Sequence, residues 1–149
     1  MADPAALYQA QVLDHQRAPR HYGVLDGATH QAEGANALCG DHLQVQALVQ
    51  DGRVLAMGFT AEACAIATAA ASMLSELAVG RSVGELAQIE TRFLEFLAGR
   101  EEARELGALA ALGELRRYPA RRACALLPFA TLRAALDGVA RASTEMPDP

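Results

Sequence analysis

Residues 43–64, LQVQALVQDGRVLAMGFTAEAC, decide the fold of this chain. Apolar and polar side chains alternate along residues 43–50, and bulky side chains alternate with smaller ones along residues 54–60, as expected of strands that cover a core with one face. Asp51-Gly52 lies between the two runs, and both residues readily adopt the positive φ values of a two-residue hairpin turn. The stretch therefore predicts an antiparallel β-hairpin.

Helical patterns surround this hairpin. Residues 5–17 carry apolar positions at a helical spacing, and residues 29–35 predict a third, weaker strand. An alanine-rich central helix is predicted over residues 65–79, ending at Gly80. The other predicted helices are, in chain order, a short one that begins at the capping box Ser82-Val83-Gly84-Glu85, residues 88–99, residues 101–112, and a last helix from Pro119 to about Ala142. This order predicts an α+β fold in which helices pack on one face of a small three-stranded antiparallel sheet.

The composition indicates an ordinary globular protein. The chain has 149 residues, of which 52% are hydrophobic and 21% charged, so we expect one domain over residues 1–149 with residues 144–149 as a frayed tail. The N-terminus lacks the pattern of a signal peptide, and the longest apolar run, residues 63–79, is interrupted by polar side chains. We therefore expect a cytoplasmic protein with no membrane partner.

The charged residues exclude several kinds of chemistry. The formal net charge is −5, whereas a nucleic-acid partner favours a basic surface. All 13 basic residues are arginine, so Schiff-base chemistry and a Walker-type phosphate loop, which both need lysine, are excluded on this chain.

The cysteines fall where predicted elements begin or end. Cys39-Gly40-Asp41 precedes the first long strand, and Cys64 follows the returning strand, so the hairpin places Cys39 and Cys64 at the same edge of the sheet. Gly40 allows a sharp turn that lets Cys39 and Asp41 face one ion. With a third thiolate from Cys124, in the first turns of the last helix, these residues would form a tetrahedral metal site. The alternatives are a small buried apolar residue for each cysteine and a strand cap for Asp41.

Other polar residues near these positions have weaker assignments. Arg121 and Arg122, one helical turn before Cys124, are candidates for charge compensation. Arg121 is also a candidate for partner contact, with a solvated surface position as its alternative. His15 is expected to make a structural hydrogen bond, and His42 to be a surface residue. Solvated positions on the helix predicted at residues 101–112 are expected for Glu101, Glu102, Arg104 and Glu105.

Short motifs spread over nearly the whole chain indicate a family. They are Leu7-Tyr8, Leu13-Asp14-His15, RAPRHYG at residues 17–23, ALCGD at residues 37–41, residues 59–64, AASM at residues 70–73 and PARRACAL at residues 119–126. With these motifs the chain resembles the U-type iron–sulfur cluster assembly proteins, the IscU/NifU/SufU family.

Three features of that resemblance favour the SufU-type branch. Ala123 occupies the position directly before the third cysteine, where IscU-like scaffolds carry a histidine. Residues 115–121 lack the Leu-Pro-Pro-Val-Lys chaperone-docking motif of those scaffolds. The chain between the second and third cysteines is also longer, because it contains an Arg-Glu-rich segment at about residues 99–116. The resemblance to this branch implies a zinc site formed by Cys39, Asp41, Cys64 and Cys124.

The SufU-type resemblance also implies a function. It is that of a zinc-dependent sulfurtransferase that accepts persulfide sulfur on Cys39 from a SufS-type cysteine desulfurase and supplies downstream iron–sulfur assembly proteins. One alternative is a scaffold that builds a [2Fe–2S] cluster on the same ligands, since thiolates suit both zinc and clusters. A second alternative is a non-catalytic, zinc-stabilised regulator of a desulfurase.

Overall fold

The secondary structure alternates between a small sheet and helices. The structure, a computed structural model, describes residues 4–37, 40–102 and 105–144. Its elements are, in chain order, α1 (Pro4–Arg17), β1 (His30–Asn36), β2 (Asp41–Gln50), β3 (Arg53–Glu62), α2 (Ala65–Ala78), α3 (Val83–Leu97), a 3-10 segment (Gly107–Arg117), α4 (Pro119–Leu136) and β4 (Arg141–Ser143). The predicted α+β class is confirmed.

The hairpin of β2 and β3 forms as predicted. Asp51 and Gly52 have φ values of 53° and 75°, as a two-residue turn requires. The two strands pair in an antiparallel register that shifts between Leu48 and Val49. Because of this irregularity Val54 is buried and Leu55 is 45% exposed. Strict alternation along residues 54–60 would instead place Leu55 on the same face as Met57 and Phe59, which are buried.

The sheet has one strand more than predicted. Its order is β3-β2-β1-β4, and β4 pairs with β1 in parallel, so the expected three-stranded antiparallel sheet is wrong in strand number and direction. The last helix does not reach Ala142 because Gly138, with φ 75°, ends it. Gly138 N–H donates to the Ala135 carbonyl and Val139 N–H to the Ala134 carbonyl, which is the hydrogen-bond pattern of a Schellman motif. The chain then returns to the sheet as β4.

Helices α2 and α4 cover the inner face of the sheet. The buried side chains of β2, which include Leu43 and Val45, form one core with the alanine-rich α2 and with α4. Gly34 of β1 allows α4 to come close, since a Cβ atom there would lie only 1.9 Å from Thr131 Oγ1. This close packing holds the helix that carries Cys124 against the sheet.

The segment between α2 and α4 differs from the prediction. The capping box is confirmed, because Ser82 Oγ accepts the Glu85 N–H and Glu85 Oε1 accepts the Ser82 N–H. The capping box and the helix predicted at residues 88–99 belong to the single helix α3. The prediction of a helix over residues 101–112 is wrong for the residues described there. Residues 107–112 belong to the 3-10 segment instead. Glu105 and Gly107 have φ values of 59° and 55°, which break a regular α-helix. Arg104 lies outside the described residues, and the predicted exposure of its glutamate neighbours is confirmed.

No helix among the described residues is long and apolar enough to span a membrane.

Candidate metal centre

Three of the predicted ligands meet at one end of the sheet. The ligand atoms of Asp41, Cys64 and Cys124 all lie within 4.8 Å of one another. They come from the first residue of β2, the N-cap of α2 and the second turn of α4. Cys39, the fourth predicted ligand, lies outside the described residues. Gly40, next to it, has a φ of 72°, a conformation that glycine favours.

Asp41 is held by the backbone of the neighbouring element. Asp41 is 3% exposed, and its Oδ1 accepts the Cys64 N–H at 2.8 Å. Its other oxygen, Oδ2, lies 3.5 Å from Cys64 Sγ. In a tetrahedral zinc site a sulfur and an oxygen ligand are about 3.6 Å apart, and two sulfur ligands about 3.8 Å. One carboxylate oxygen is thus held by the Cys64 backbone amide, and the other accepts the Cys64 thiol hydrogen at a distance that would also suit two ligands of one zinc ion.

Cys64 occupies the N-terminus of the central helix. Its Sγ accepts the Ala67 N–H at 3.4 Å, so the thiol caps α2. The unpaired amides and the dipole at a helix N-terminus favour an anion there. The sulfur of Cys64 therefore lies at the end of α2 that best accommodates a negatively charged ligand set.

Cys124 is fully buried within α4. Pro128, four residues later in the same helix, has no N–H to donate to the Cys124 carbonyl, so the regular helical ladder is interrupted at this cysteine.

The end of β4 ties the elements of this site together. Thr144 Oγ1 donates to the Ala123 carbonyl at 2.9 Å, directly before Cys124, and accepts from Asn36 Nδ2 at 3.4 Å. Asn36 is buried and pairs with Asp41 in the register of β1 and β2. The sequence prediction missed Asn36 and assigned Thr144 to a frayed tail; the other tail residues lie outside the described chain. No local pattern marks an interaction across this length of chain.

The two arginines before Cys124 have different environments. Arg122 donates to the carbonyls of Leu115 and Arg116 at 3.4 and 2.5 Å, so it links the 3-10 segment to α4. Arg121 is exposed. Charge compensation of the site by either residue stays a prediction.

The two histidines with sequence-based assignments are placed as expected. His15 is 6% exposed, and its Nδ1 lies 2.7 Å from Ser72 Oγ, which confirms the structural hydrogen bond. Burial lowers the pKa of His15, because a charged imidazolium loses hydration there. Ser72 Oγ also accepts the Arg20 N–H at 2.8 Å, so this contact fastens the loop after α1 to α2. His42 is exposed, as predicted.

The donor set fits a metal ion. In the part of the chain that the structure describes, Asp41, Cys64 and Cys124 are the one group of three such residues with ligand atoms this close. Two thiols and a carboxylate are among the ligands that zinc accepts, and thiolates also hold iron–sulfur clusters. The geometry supports a metal centre, and the assignment of the individual ligands stays a prediction.

Comparison with known proteins identifies the class to which this fold and site belong. Residues 7–125 match the family model of the NifU-like N-terminal domain. The chain belongs to this family, which includes iron–sulfur cluster assembly proteins of the IscU, NifU and SufU types. The predicted membership in the IscU/NifU/SufU family is confirmed.

Individual relatives represent more than one branch. The chain is 30% identical over 138 residues to the iron–sulfur cluster assembly scaffold protein IscU of Streptococcus pyogenes serotype M1, covering 91% of this chain and 86% of the relative. It is 29% identical over 128 residues to the zinc-dependent sulfurtransferase SufU of Bacillus subtilis, covering 85% and 86%. The crystal structure of a putative iron–sulfur cluster assembly scaffold protein for the SUF system from Fervidobacterium islandicum aligns with a TM-score of 0.79 at 25% identity, covering 85% and 93%. Sequence identity alone does not separate the scaffold from the sulfurtransferase branch.

Proposed function

We propose that this protein is a zinc-dependent sulfurtransferase that accepts persulfide sulfur from a cysteine desulfurase for iron–sulfur cluster assembly. The observation that carries the proposal is the buried Asp41 carboxylate, with one oxygen held by the Cys64 amide and the other 3.5 Å from Cys64 Sγ. A fixed carboxylate beside two thiols suits a single zinc ion, and the same residues could also hold an iron–sulfur cluster. Ala123, in the position where IscU-like scaffolds carry a histidine, is the feature that favours zinc-dependent sulfur transfer over cluster building.

The four proposed ligands have two different roles. Asp41, Cys64 and Cys124 would hold the metal, and Cys39 is the residue whose thiolate reacts. Bound zinc would keep the thiols deprotonated and unreactive until a partner displaces one of them.

The proposed transfer is a thiol–persulfide exchange. The Cys39 thiolate attacks the outer sulfur of the desulfurase persulfide. A sulfur–sulfur bond forms on Cys39, the sulfur–sulfur bond of the donor breaks, and the donor cysteine leaves as a thiolate. The persulfide on Cys39 is then available to downstream iron–sulfur assembly proteins. A SufS-type desulfurase as the donor and a cytoplasmic location are parts of this proposal.

A scaffold that builds a [2Fe–2S] cluster on the same ligands is the second candidate. The observation that favours it is the 30% identity to the streptococcal IscU scaffold over most of both chains. A regulator whose zinc only stabilises the fold is a third possibility, because a closed four-ligand zinc shell is usually structural.

Desulfurase turnover and the sulfur state of Cys39 test the proposal together. The protein is added to a cysteine desulfurase with cysteine, and sulfide release and the mass of the intact protein are followed. We expect turnover to rise and a mass increase of one sulfur atom to appear on the wild type. Cys39→Ala should lose both effects, whereas His42→Ala, at an exposed position in the same region, should keep them. Unchanged turnover and no mass increase on the wild type would contradict sulfur transfer.

A further inference from the structure

The ion pairs of the described arginines are unevenly distributed. Carboxylate partners are present for Arg20, Arg53, Arg81, Arg92, Arg100, Arg133 and Arg141. Residues 116–122, where the 3-10 segment passes into α4, contain Arg116, Arg117, Arg121 and Arg122. No carboxylate among the described residues forms an ion pair with any of these arginines. Most other arginines are neutralised within the fold, and this cluster is not.

Two arginines of the cluster are engaged with the protein itself. Arg116 lies over the Phe96 ring at 5.2 Å, and Arg122 bonds backbone carbonyls. Arg117 and Arg121 are exposed and have no such contacts within the described chain. On a protein whose net charge is −5, they are two exposed positive charges near the start of α4, the helix that carries Cys124.

An apolar groove of about 280 Å³ lies next to this cluster. It lies between α1, the first turn of α2 and the 3-10 segment, and its lining is Val12, Leu13, Ile66, Ala111, Leu112, Glu114 and Leu115. Leu13 is 45% exposed. Ile66 is two residues from Cys64, and the Leu115 carbonyl accepts from Arg122, two residues before Cys124. The groove, the arginine cluster and the metal site are therefore neighbours.

We propose that this groove, together with Arg117 and Arg121, is the docking surface for an acidic segment of the sulfur-donating protein. An apolar side chain of that segment fills the groove beside Leu13, and its carboxylates pair with the two guanidinium groups. The identity of the partner as the sulfur donor rests on the proposed function.

The chemistry of the surface determines this choice of occupant. The two exposed guanidinium groups favour carboxylates as partners, because an arginine can bind a carboxylate with two parallel hydrogen bonds. Six of the seven lining residues are apolar, so the groove favours an aliphatic or aromatic side chain over a small polar ligand. Glu114 is the exception, so the carboxylates of the bound segment must lie on the side of Arg117 and Arg121 and away from Glu114. A donor must also bring its persulfide to Cys39, two residues from Asp41, and this surface lies beside that site.

The test measures the affinity of a SufS-type desulfurase for matched variants of the zinc-loaded protein. Arg117→Glu is compared with Arg53→Glu, which makes the same charge change at the hairpin turn, the end of β2 and β3 away from Asp41. Because Arg53 also pairs with Glu85 and bonds the Gly80 carbonyl, circular dichroism first checks that each variant is folded. Leu13→Ala is compared with Leu55→Ala, since both leucines are 45% exposed. Calorimetry gives the dissociation constant, and sulfide release is recorded on the same samples.

We expect Arg117→Glu and Leu13→Ala each to raise the dissociation constant by about tenfold, as loss of a central interface contact does. The two controls should change it less than about twofold, as surface positions outside an interface do. The effect of Arg117→Glu should shrink as the salt concentration rises, because exposed ion pairs are screened. The effect of Leu13→Ala on the dissociation constant should not depend on the salt concentration.

Several outcomes would overturn the docking surface. One is that the variants and their controls bind the desulfurase with equal affinity, and another is that the wild type does not bind it at all. A third is that the variants lose association with further copies of this chain and keep their affinity for the desulfurase. Binding that weakens in the two variants without any stimulation of sulfide release would instead support the docking surface and contradict the proposed sulfur transfer.

Discussion

Gly34 is a point of close approach between the sheet and the cysteine-bearing helix α4. A Cβ atom there would lie 1.9 Å from Thr131 Oγ1 and 3.1 Å from Thr131 Cβ, and Thr131 is fully buried. Gly34→Ala must therefore push β1 and α4 apart. Overpacking a core costs about 1–3 kcal/mol, and a contact this short between two regular elements puts the expected loss near 3 kcal/mol. In a chain of this size that lowers the midpoint of thermal unfolding by about 6–12 °C.

Two further variants make this prediction specific. Gly84→Ala changes a glycine in α3 where the nearest atom to the new Cβ is Ser82 Oγ at 3.9 Å, so it should stabilise the protein by about 0.5–1 kcal/mol through helix propensity. Thr131→Ala removes the atom at 1.9 Å, so Gly34→Ala combined with Thr131→Ala should regain part of the loss. The sign of the effect of a Gly-to-Ala change thus depends on the site.

Urea denaturation followed by circular dichroism, on metal-free and zinc-loaded protein, measures these free energies of unfolding. Since α4 carries Cys124, Gly34→Ala should also weaken zinc binding. A Gly34→Ala protein within about 0.5 kcal/mol of wild type, the range of ordinary surface substitutions, would refute the close packing of β1 on α4.

Three other predictions follow from single contacts. Thr144→Val should weaken zinc binding by at most about the tenfold that loss of a hydrogen bond to a ligand costs, because Thr144 bonds the Ala123 carbonyl next to Cys124 and not a ligand itself. Thr144→Ser should retain the affinity in a chelator competition assay, and equal affinities of the Val and Ser variants would contradict this. Because the folded state lowers the pKa of His15, the unfolded state binds more protons as the pH falls to and below the ordinary value of 6.5, so stability should fall with the pH there. The free energy of unfolding of His15→Gln should depend less on pH, and slopes equal to wild type would count against His15 as the cause. Ser82→Ala should cost about 1 kcal/mol through loss of the capping box and leave zinc affinity unchanged, which denaturation and zinc titration can check.

The parts of the fold that local patterns describe were predictable from the sequence. Asp51-Gly52, the Ser82–Glu85 capping box and Pro119 at the start of α4 each act within a few residues, and each prediction is confirmed. Strand β4 was not predicted, because it has only three residues and forms by pairing with β1, which is distant in the sequence. Gly138 could have been recognised in the sequence as a helix stop, because glycine is the usual residue directly after a helix C-cap, where φ is positive.

The candidate site divides in the same way. The hairpin register predicted that the start of β2 and the end of β3 lie together, and the structure brings Asp41 and Cys64 into contact. Asn36 and Thr144 were missed, because their contact joins residues 108 positions apart and has no spacing that a sequence pattern could reveal. The fourth predicted ligand, Cys39, stays a sequence-based proposal.

Zinc K-edge X-ray absorption on the purified, metal-loaded protein tests the central claim most directly, because it counts the ligand atoms around the ion. The account predicts one zinc per chain, with three sulfur ligands at about 2.3 Å and one oxygen at about 2.0–2.2 Å. In Cys39→Ala one of the three sulfur ligands should be missing. Iron bound with inorganic sulfide, or a zinc shell that contains no sulfur, would contradict the claim that Cys39, Asp41, Cys64 and Cys124 form a zinc site.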